Sequence, residues 1–241
     1  MVCLLIAIIS LLYTSVGQAG GTAFLSLMAF SGMSSTEMRP TALGLNIIVA
    51  TYSTWLFNRN KIVEWSILRP LLFSSLPASL AGGLIVLGEP TYKTLTGLVL
   101  LLASAGIIMQ RRGGADRACE PPLWASVSIG AILGLVSGLT GVGGGVFLAP
   151  TLVALNWASA KQAVALSPPF ILANSAVGFV GSLFTGQIPS PALILYAISA
   201  LSGAVAGTII GLKWLNPTCT RFVLVALLVF AGIQLVFGLK V

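Results

Sequence analysis

The chain has 241 residues, of which 57% are hydrophobic and 7% charged; it has no histidine and a formal net charge of +7. A typical soluble domain is about 25% charged, so 12 basic and 5 acidic side chains cannot cover a soluble surface of this size. Without histidine the chain lacks the commonest general base and metal ligand, and Cys3, Cys119 and Cys219 form no CxxC or other ligand spacing. Soluble enzymes, disulfide scaffolds and nucleic-acid-binding domains are excluded, no cofactor or metal is called for, and the function expected is not enzymatic.

The charge-free runs are 1–36, 40–58, 70–88, 94–110, 121–160, 162–212 and 222–239. A bilayer core needs about 17–25 apolar residues per helix, so the chain reads as an all-α polytopic membrane protein. In chain order the predicted helices are 2–15, 21–32, 38–58, 66–88 and 91–110, then 122–139, 145–156, 162–185, 189–213 and 218–239. Residues 1–15 are apolar like a signal peptide but lack its basic leading region, so they are read as the first helix. Between the two sets lies Gln110-Arg111-Arg112-Gly113-Gly114-Ala115-Asp116-Arg117, followed by Pro121-Pro122. The expected organisation is a first transmembrane repeat 1–110, a polar cytoplasmic linker 111–121 and a second repeat 122–241, all one integral membrane unit.

The repeat is visible in short matches. Gly20-Gly21-Thr22-Ala23-Phe24-Leu25 reads against Gly143-Gly144-Gly145-Val146-Phe147-Leu148, and Ala42-Leu43 against Ala165-Leu166. Later matches such as Ala81-Gly82 with Ala206-Gly207 need a slightly larger offset. In each set the first two helices are read as short and as meeting at a glycine cluster, Gly17 to Gly21 or Gly141 to Gly145. Glycine costs about 1 kcal/mol against alanine inside a helix, so such a cluster breaks one. Each pair is then either a span broken in the middle or a hairpin returning to its starting side. The hairpin makes the repeats inverted and puts loops 58–70, 110–121, 157–162 and 213–221, with nine of the twelve basic residues, on one side. Arg39, Lys93 and Lys240 fall on the other. The positive-inside rule therefore selects inverted repeats, each a broken-helix hairpin plus three transmembrane helices, with both termini outside a cell inner or plasma membrane.

Non-helical backbone survives at membrane depth only where protein or a water-lined cavity satisfies it. Helices starting near Gly21 and Gly145 would aim unpaired N–H groups and positive dipole ends at one cavity, a setting that favours an anion. The candidate site is Gln18, Gly20, Gly21, Thr22, Asn46, Thr140, Gly141, Gly143, Gly144, Gly145 and Asn174, with Thr14, Ser15 and Ser137 nearby. The same glycines would also serve close helix packing, and the hydroxyls could bond their own helices. Pro168-Pro169 is expected to kink or open its helix. Arg39 and Lys161 stand at near-equivalent helix entrances, as anion attractors or interface charges. Glu37, Glu64, Glu89, Asp116 and Glu120 all fall at loops or helix ends, so no carboxylate proton relay is expected.

The glycine hairpins, the Ala165-Leu166-Ser167 stretch opening the next long helix, and the duplicated plan together resemble the TauE/SafE family of sulfite/sulfonate exporter-like permeases. That resemblance covers nearly the whole chain. It implies a secondary transporter moving sulfur oxyanions such as sulfite, thiosulfate or short organosulfonates by alternating access. A passive anion channel and a membrane subunit delivering a sulfur species to a soluble enzyme are the alternatives. The expected partners are the lipid bilayer and the small anion, with a homodimer left open.

Overall fold

The computed structural model describes residues 2–15, 17–109 and 121–213, together with Val225, Ala226, Val229, Gly232, Ile233 and Val236. The linker and most of the predicted last helix lie outside the described residues. Nine helices are found among them: α1 (Val2–Thr14), α2 (Gly21–Phe30), α3 (Ser35–Arg59), α4 (Trp65–Leu84), α5 (Glu89–Met109), α6 (Leu123–Thr140), α7 (Gly145–Ala154), α8 (Ala160–Phe184) and α9 (Leu193–Lys213). By length and composition α4, α6 and most of α8 are apolar enough to cross a membrane. Large apolar side chains such as Phe73, Leu102, Trp124 and Phe184 stand exposed on the outside, as lipid-facing residues do in a membrane protein.

Three expectations are corrected. The α6 helix is not short: its 18 residues extend about 27 Å at 1.5 Å per residue. Its end lies at the level of the last turn of α4, where Gly138 packs on Ser79 and Gly83. The α4 helix itself stops at Leu84, four residues early, and Ile85 is extended. Finally, of the two outcomes expected at Pro168 and Pro169, an opened helix does not occur: α8 is helical through both. Prolines remove two N–H donors, so the Val164 and Ala165 carbonyls lose their usual helical partners while the helix continues.

Small residues set the helix directions. Gly130 packs on Leu71, Gly134 on Ser75 and Gly138 on Ser79, so α6 runs parallel to α4. Gly203 packs on Ala7 and Gly207 on Leu11, while Ser10 Oγ donates to the Ala200 carbonyl at 2.6 Å; α1 is parallel to α9. The α4 and α8 helices are also parallel. Glu64 and Gln162 are hydrogen-bonded at their starts, and Gly83 meets Gly178 and Gly181 near their ends. The α3 helix runs the other way against α8: Thr41 near its start accepts from Ser190 N, beyond the end of α8, at 2.8 Å. The α2 helix folds back on α1, with Ala23 packed on Tyr13 and Ile9.

Backbone conformation repeats along the chain. Nine described residues have positive φ, and eight form pairs: Gly17 with Gly141, Gly20 with Gly144 and Gly32 with Asn156, each 124 apart, and Lys61 with Gly186, 125 apart. Helix α3 and helix α8 both begin after a serine, Ser34 and Ser159, again 125 apart. Residue identity aligned Gly20-Gly21 with Gly143-Gly144. The backbone aligns them with Gly144-Gly145, so Gln18 stands opposite Val142 and Arg39 opposite Val164. Arg39 and Lys161 are therefore not equivalent.

Candidate functional site

The two glycine turns touch each other. Gln18 Nε2 donates to the Gly145 carbonyl at 3.4 Å, and a methyl group on Gly21 would stand 2.7 Å from the Val142 carbonyl. Each turn ends in a left-handed glycine, Gly20 (φ 97) and Gly144 (φ 74), directly before a helix, and neither helix start is capped by a side chain. The leading N–H groups of α2 and α7 thus have no acceptor from a capping side chain, although Phe147 N in the first turn of α7 donates to Gly144 O at 3.1 Å. Gly20, Gly141, Gly143 and Gly144 all need positive φ, which costs an L-residue about 1–2 kcal/mol.

Asn46 sits between the turns. It is fully buried, and its amide nitrogen donates to the Gly141 carbonyl at 3.2 Å. Its oxygen has no partner, and neither have the buried hydroxyls of Ser137 and Ser175. A methyl group on Gly143 would stand 2.9 Å from Asn46 Nδ2 and 3.1 Å from Ser175 Oγ. Buried polar atoms normally find partners, so this cluster beside two uncapped helix starts has hydrogen-bonding capacity to spare. Ser175 and Ser137 gain a place in the site that sequence reading gave to neither or only in passing.

Thr140 and Thr22 are more occupied. Thr140 Oγ1 donates to Val136 O at 2.7 Å and accepts from Val142 N at 3.3 Å; its carbonyl accepts from the Tyr92 hydroxyl at 2.7 Å. The Thr22 hydroxyl is bonded to Tyr13 at 3.0 Å, tying α2 to α1. Asn174 Nδ2 donates to Phe170 O of its own helix and its backbone carbonyl accepts from Ser79 of α4, while its side-chain oxygen, like that of Asn46, has no partner. None of its bonds reaches a turn. In this arrangement Gln18, Thr140 and Thr22 hold the turns in shape, while Asn46 faces both.

Arg39 is the residue whose setting the sequence concealed. It is 1% exposed, because α4 ends early and α3 carries it past that end. Its Nε donates to Gln187 Oε1 at 2.9 Å, Nη2 to Gly83 O at 2.6 Å, and Nη1 to Ile85 O at 2.7 Å and Gly82 O at 3.4 Å. All of these acceptors are neutral. The last carbonyls of a helix carry its negative dipole end, so α4 holds the guanidinium in place of a carboxylate. Gly141 packs directly on the Arg39 stem. Among the described residues the ion pair is Lys93 with Glu89, at 2.7 Å on the surface.

A family model described as "Sulfite exporter TauE/SafE" matches residues 2–235. The chain belongs to the TauE/SafE family. It is similar to the "Probable membrane transporter protein y4hK" of Sinorhizobium fredii, 34% identical over 237 residues covering 95% of each chain. It is also similar to the "Probable membrane transporter protein YjnA" of Bacillus subtilis, 26% identical over 90% of this chain and 92% of that one. The "Probable membrane transporter protein MamO" of Magnetospirillum gryphiswaldense is 24% identical over 81% of this chain and 37% of its own length. No solved structure matches. Family and relatives alike place this TauE/SafE member among membrane transporters, in keeping with its lipid-facing helices.

Proposed function

We propose that the chain is a secondary transporter of small sulfur-containing oxyanions, working by alternating access of two inverted repeats, 1–110 and 122–241, about the linker 111–121. The helix directions support inversion. If each hairpin were a single broken span, α4 and α8 would cross in opposite senses and α3 and α8 in the same one; the contacts described above give the reverse. The paired φ values support the duplication. Loops 60–64 and 155–162 are neighbours, since Val63 and Trp157 share one apolar cluster, and they carry Lys61 and Lys161. That side is assigned to the cytoplasm, and both termini to the outside.

The observation that carries the function is the meeting of two uncapped helix starts at Asn46. A helix terminus stabilises a nearby anion by about 0.3–1 kcal/mol, and by up to about 2 when partly buried, so two give about 1–4 kcal/mol. Millimolar binding needs about 4.1 kcal/mol and micromolar about 8.2. Hydrogen bonds to a charged group, about 1.5–3 kcal/mol each, supply the difference from the Asn46 Nδ2 hydrogen that Gly141 O does not use and from the Ser137 and Ser175 hydroxyls. Weak, distributed binding suits a carrier, which must also release. Direct contact between the turns favours a carrier over an open pore.

Thermal-shift measurements on purified protein with sulfite, thiosulfate, methanesulfonate, taurine, sulfate and phosphate test this reading. Stabilisation by sulfur oxyanions, lost in a folded Asn46→Ala variant, is expected. Equal response to phosphate, or a shift unchanged by Asn46→Ala, would place the function elsewhere.

A further inference from the structure

The surroundings of the two glycine turns correspond position by position but not in their side chains. Gly141 of the second turn lies on Arg39; Gly17 of the first lies on Val164, 125 residues further on than Arg39. Arg39 reaches Gln187 and Gly83. The residues 125 from these are Ile62 and Thr208, and both line a cavity of about 120 Å³ together with Gly17, Val164, Phe57 and Lys161. Thus the space that the guanidinium fills on one side of the molecule is open on the other, where valine is too short to fill it.

The lining grades from exposed to buried: Lys161 is exposed, Ile62 and Val164 are half-buried, and Phe57, Gly17, Thr14 and Thr208 are buried, which sets a mouth at Lys161 and an inner end at Gly17, Thr14 and Thr208. The Thr14 and Thr208 hydroxyls already donate to Ser10 O and Ala204 O, both at 2.7 Å, so the inner end offers no free donor to trap a ligand. By its volume the cavity takes about four waters. A lysine at the mouth of a low-dielectric cleft raises the local anion concentration.

Resting on the transporter reading above, we infer that this cavity is the access vestibule for a small oxyanion, open on the Lys161 side, and that Arg39 bolts the equivalent vestibule on the opposite side. Release of the bolt needs the four donor contacts of Arg39 to leave the α4 terminus and Gln187. The two vestibules would then exchange roles, with Arg39 freed to meet an anion arriving from that side.

The test uses the full chain, without native cysteines, in sealed membranes with a membrane-impermeant anionic thiol reagent. Thr208→Cys reports the open vestibule and Ser190→Cys, buried beside Gln187, the bolted one. Thr208→Cys should react from the Lys161 side alone, and excess methanesulfonate should slow that reaction. Val164→Arg should cut it by about tenfold, since labelling follows the fraction of molecules in which the route is open; Val164→Met serves the same purpose if arginine prevents folding. Ser190→Cys should be slow, and faster by about tenfold from the other side once Arg39→Gln is added. Thr208→Cys labelling from the wrong side, indifference to both Val164 substitutions or to methanesulfonate, or Ser190→Cys labelling unchanged by Arg39→Gln would overturn the inference. Sulfur-anion flux in the same vesicles is read separately. Flux without the labelling pattern defeats the vestibule assignment, whereas the labelling pattern without any flux defeats the transporter reading.

Discussion

Gly143 and Gly32 together isolate what the site geometry costs. Both have positive φ, 87° and 72°, so alanine at either position takes up a left-handed conformation worth about 1–2 kcal/mol. A methyl group on Gly32 would meet nothing within 4 Å; on Gly143 it would lie 2.9 Å from both Asn46 Nδ2 and Ile171 Cγ2. Those two side chains are 0% and 2% exposed, so neither can swing aside. Overpacking of this kind adds about 1–3 kcal/mol. Gly143→Ala should therefore lose about 2–5 kcal/mol and Gly32→Ala about 1–2; against native stabilities of about 5–15 kcal/mol, Gly32→Ala stays folded throughout and Gly143→Ala does so above the low end of that range. Reversible unfolding in mixed micelles measures the difference, and anion-induced thermal shift on the same samples measures binding. Gly32→Ala should bind as the parent does and Gly143→Ala should not, because its methyl group displaces the Asn46 amide. Equal stability losses with binding intact in both would refute the argument that Asn46 and the second turn form the site.

Gly144→Val should abolish binding in folded protein, since a β-branched residue at φ 74 distorts the turn that starts α7; a titration showing unchanged affinity would locate the anion away from this turn. Glu37→Gln, Glu64→Gln and Glu89→Gln should each retain flux within about twofold, because all three side chains are exposed and a proton relay needs carboxylates within the membrane. Complete loss of flux in one stably expressed variant would establish carboxylate coupling. Single cysteines at Lys61 and at Gly186, whose added side chain would meet nothing within 4 Å, should label from opposite faces of sealed vesicles. Labelling from one face would return the repeats to a parallel arrangement.

Helix positions and the glycine turns were legible in the sequence because lipid forces long charge-free runs and glycine clusters interrupt them. The bounds of α2, α7 and α8 differ from expectation by no more than two residues at either end. Depth was not legible. Apolar residues continue to Leu87, so hydropathy extends α4 by four residues, and only the extended backbone at Ile85 exposes the carbonyls that Arg39 uses. A buried arginine balanced by helix carbonyls leaves no mark in composition, since its partners are backbone atoms and one distant glutamine. The repeat register was off by one for a related reason: glycine identity aligns Gly21 with Gly144, while the need for positive φ aligns Gly20 with it. Asn46 was named from its type, but its position between both turns depends on α3 packing, which no local pattern encodes.

The seam between α1 and α9 has a consequence for how the molecule is made. Ser10 and Ala200 are separated by 190 positions along the chain. Translation at about 5–20 residues per second separates their entry into the membrane by roughly 10–40 s. Throughout that interval the first helix presents Ser10 and Thr14 to lipid or to the insertion machinery, without the groove of Gly203 and Gly207 that later receives it. The last-made half thus completes the first-made one, and premature release of a truncated chain would leave its earliest helix unseated.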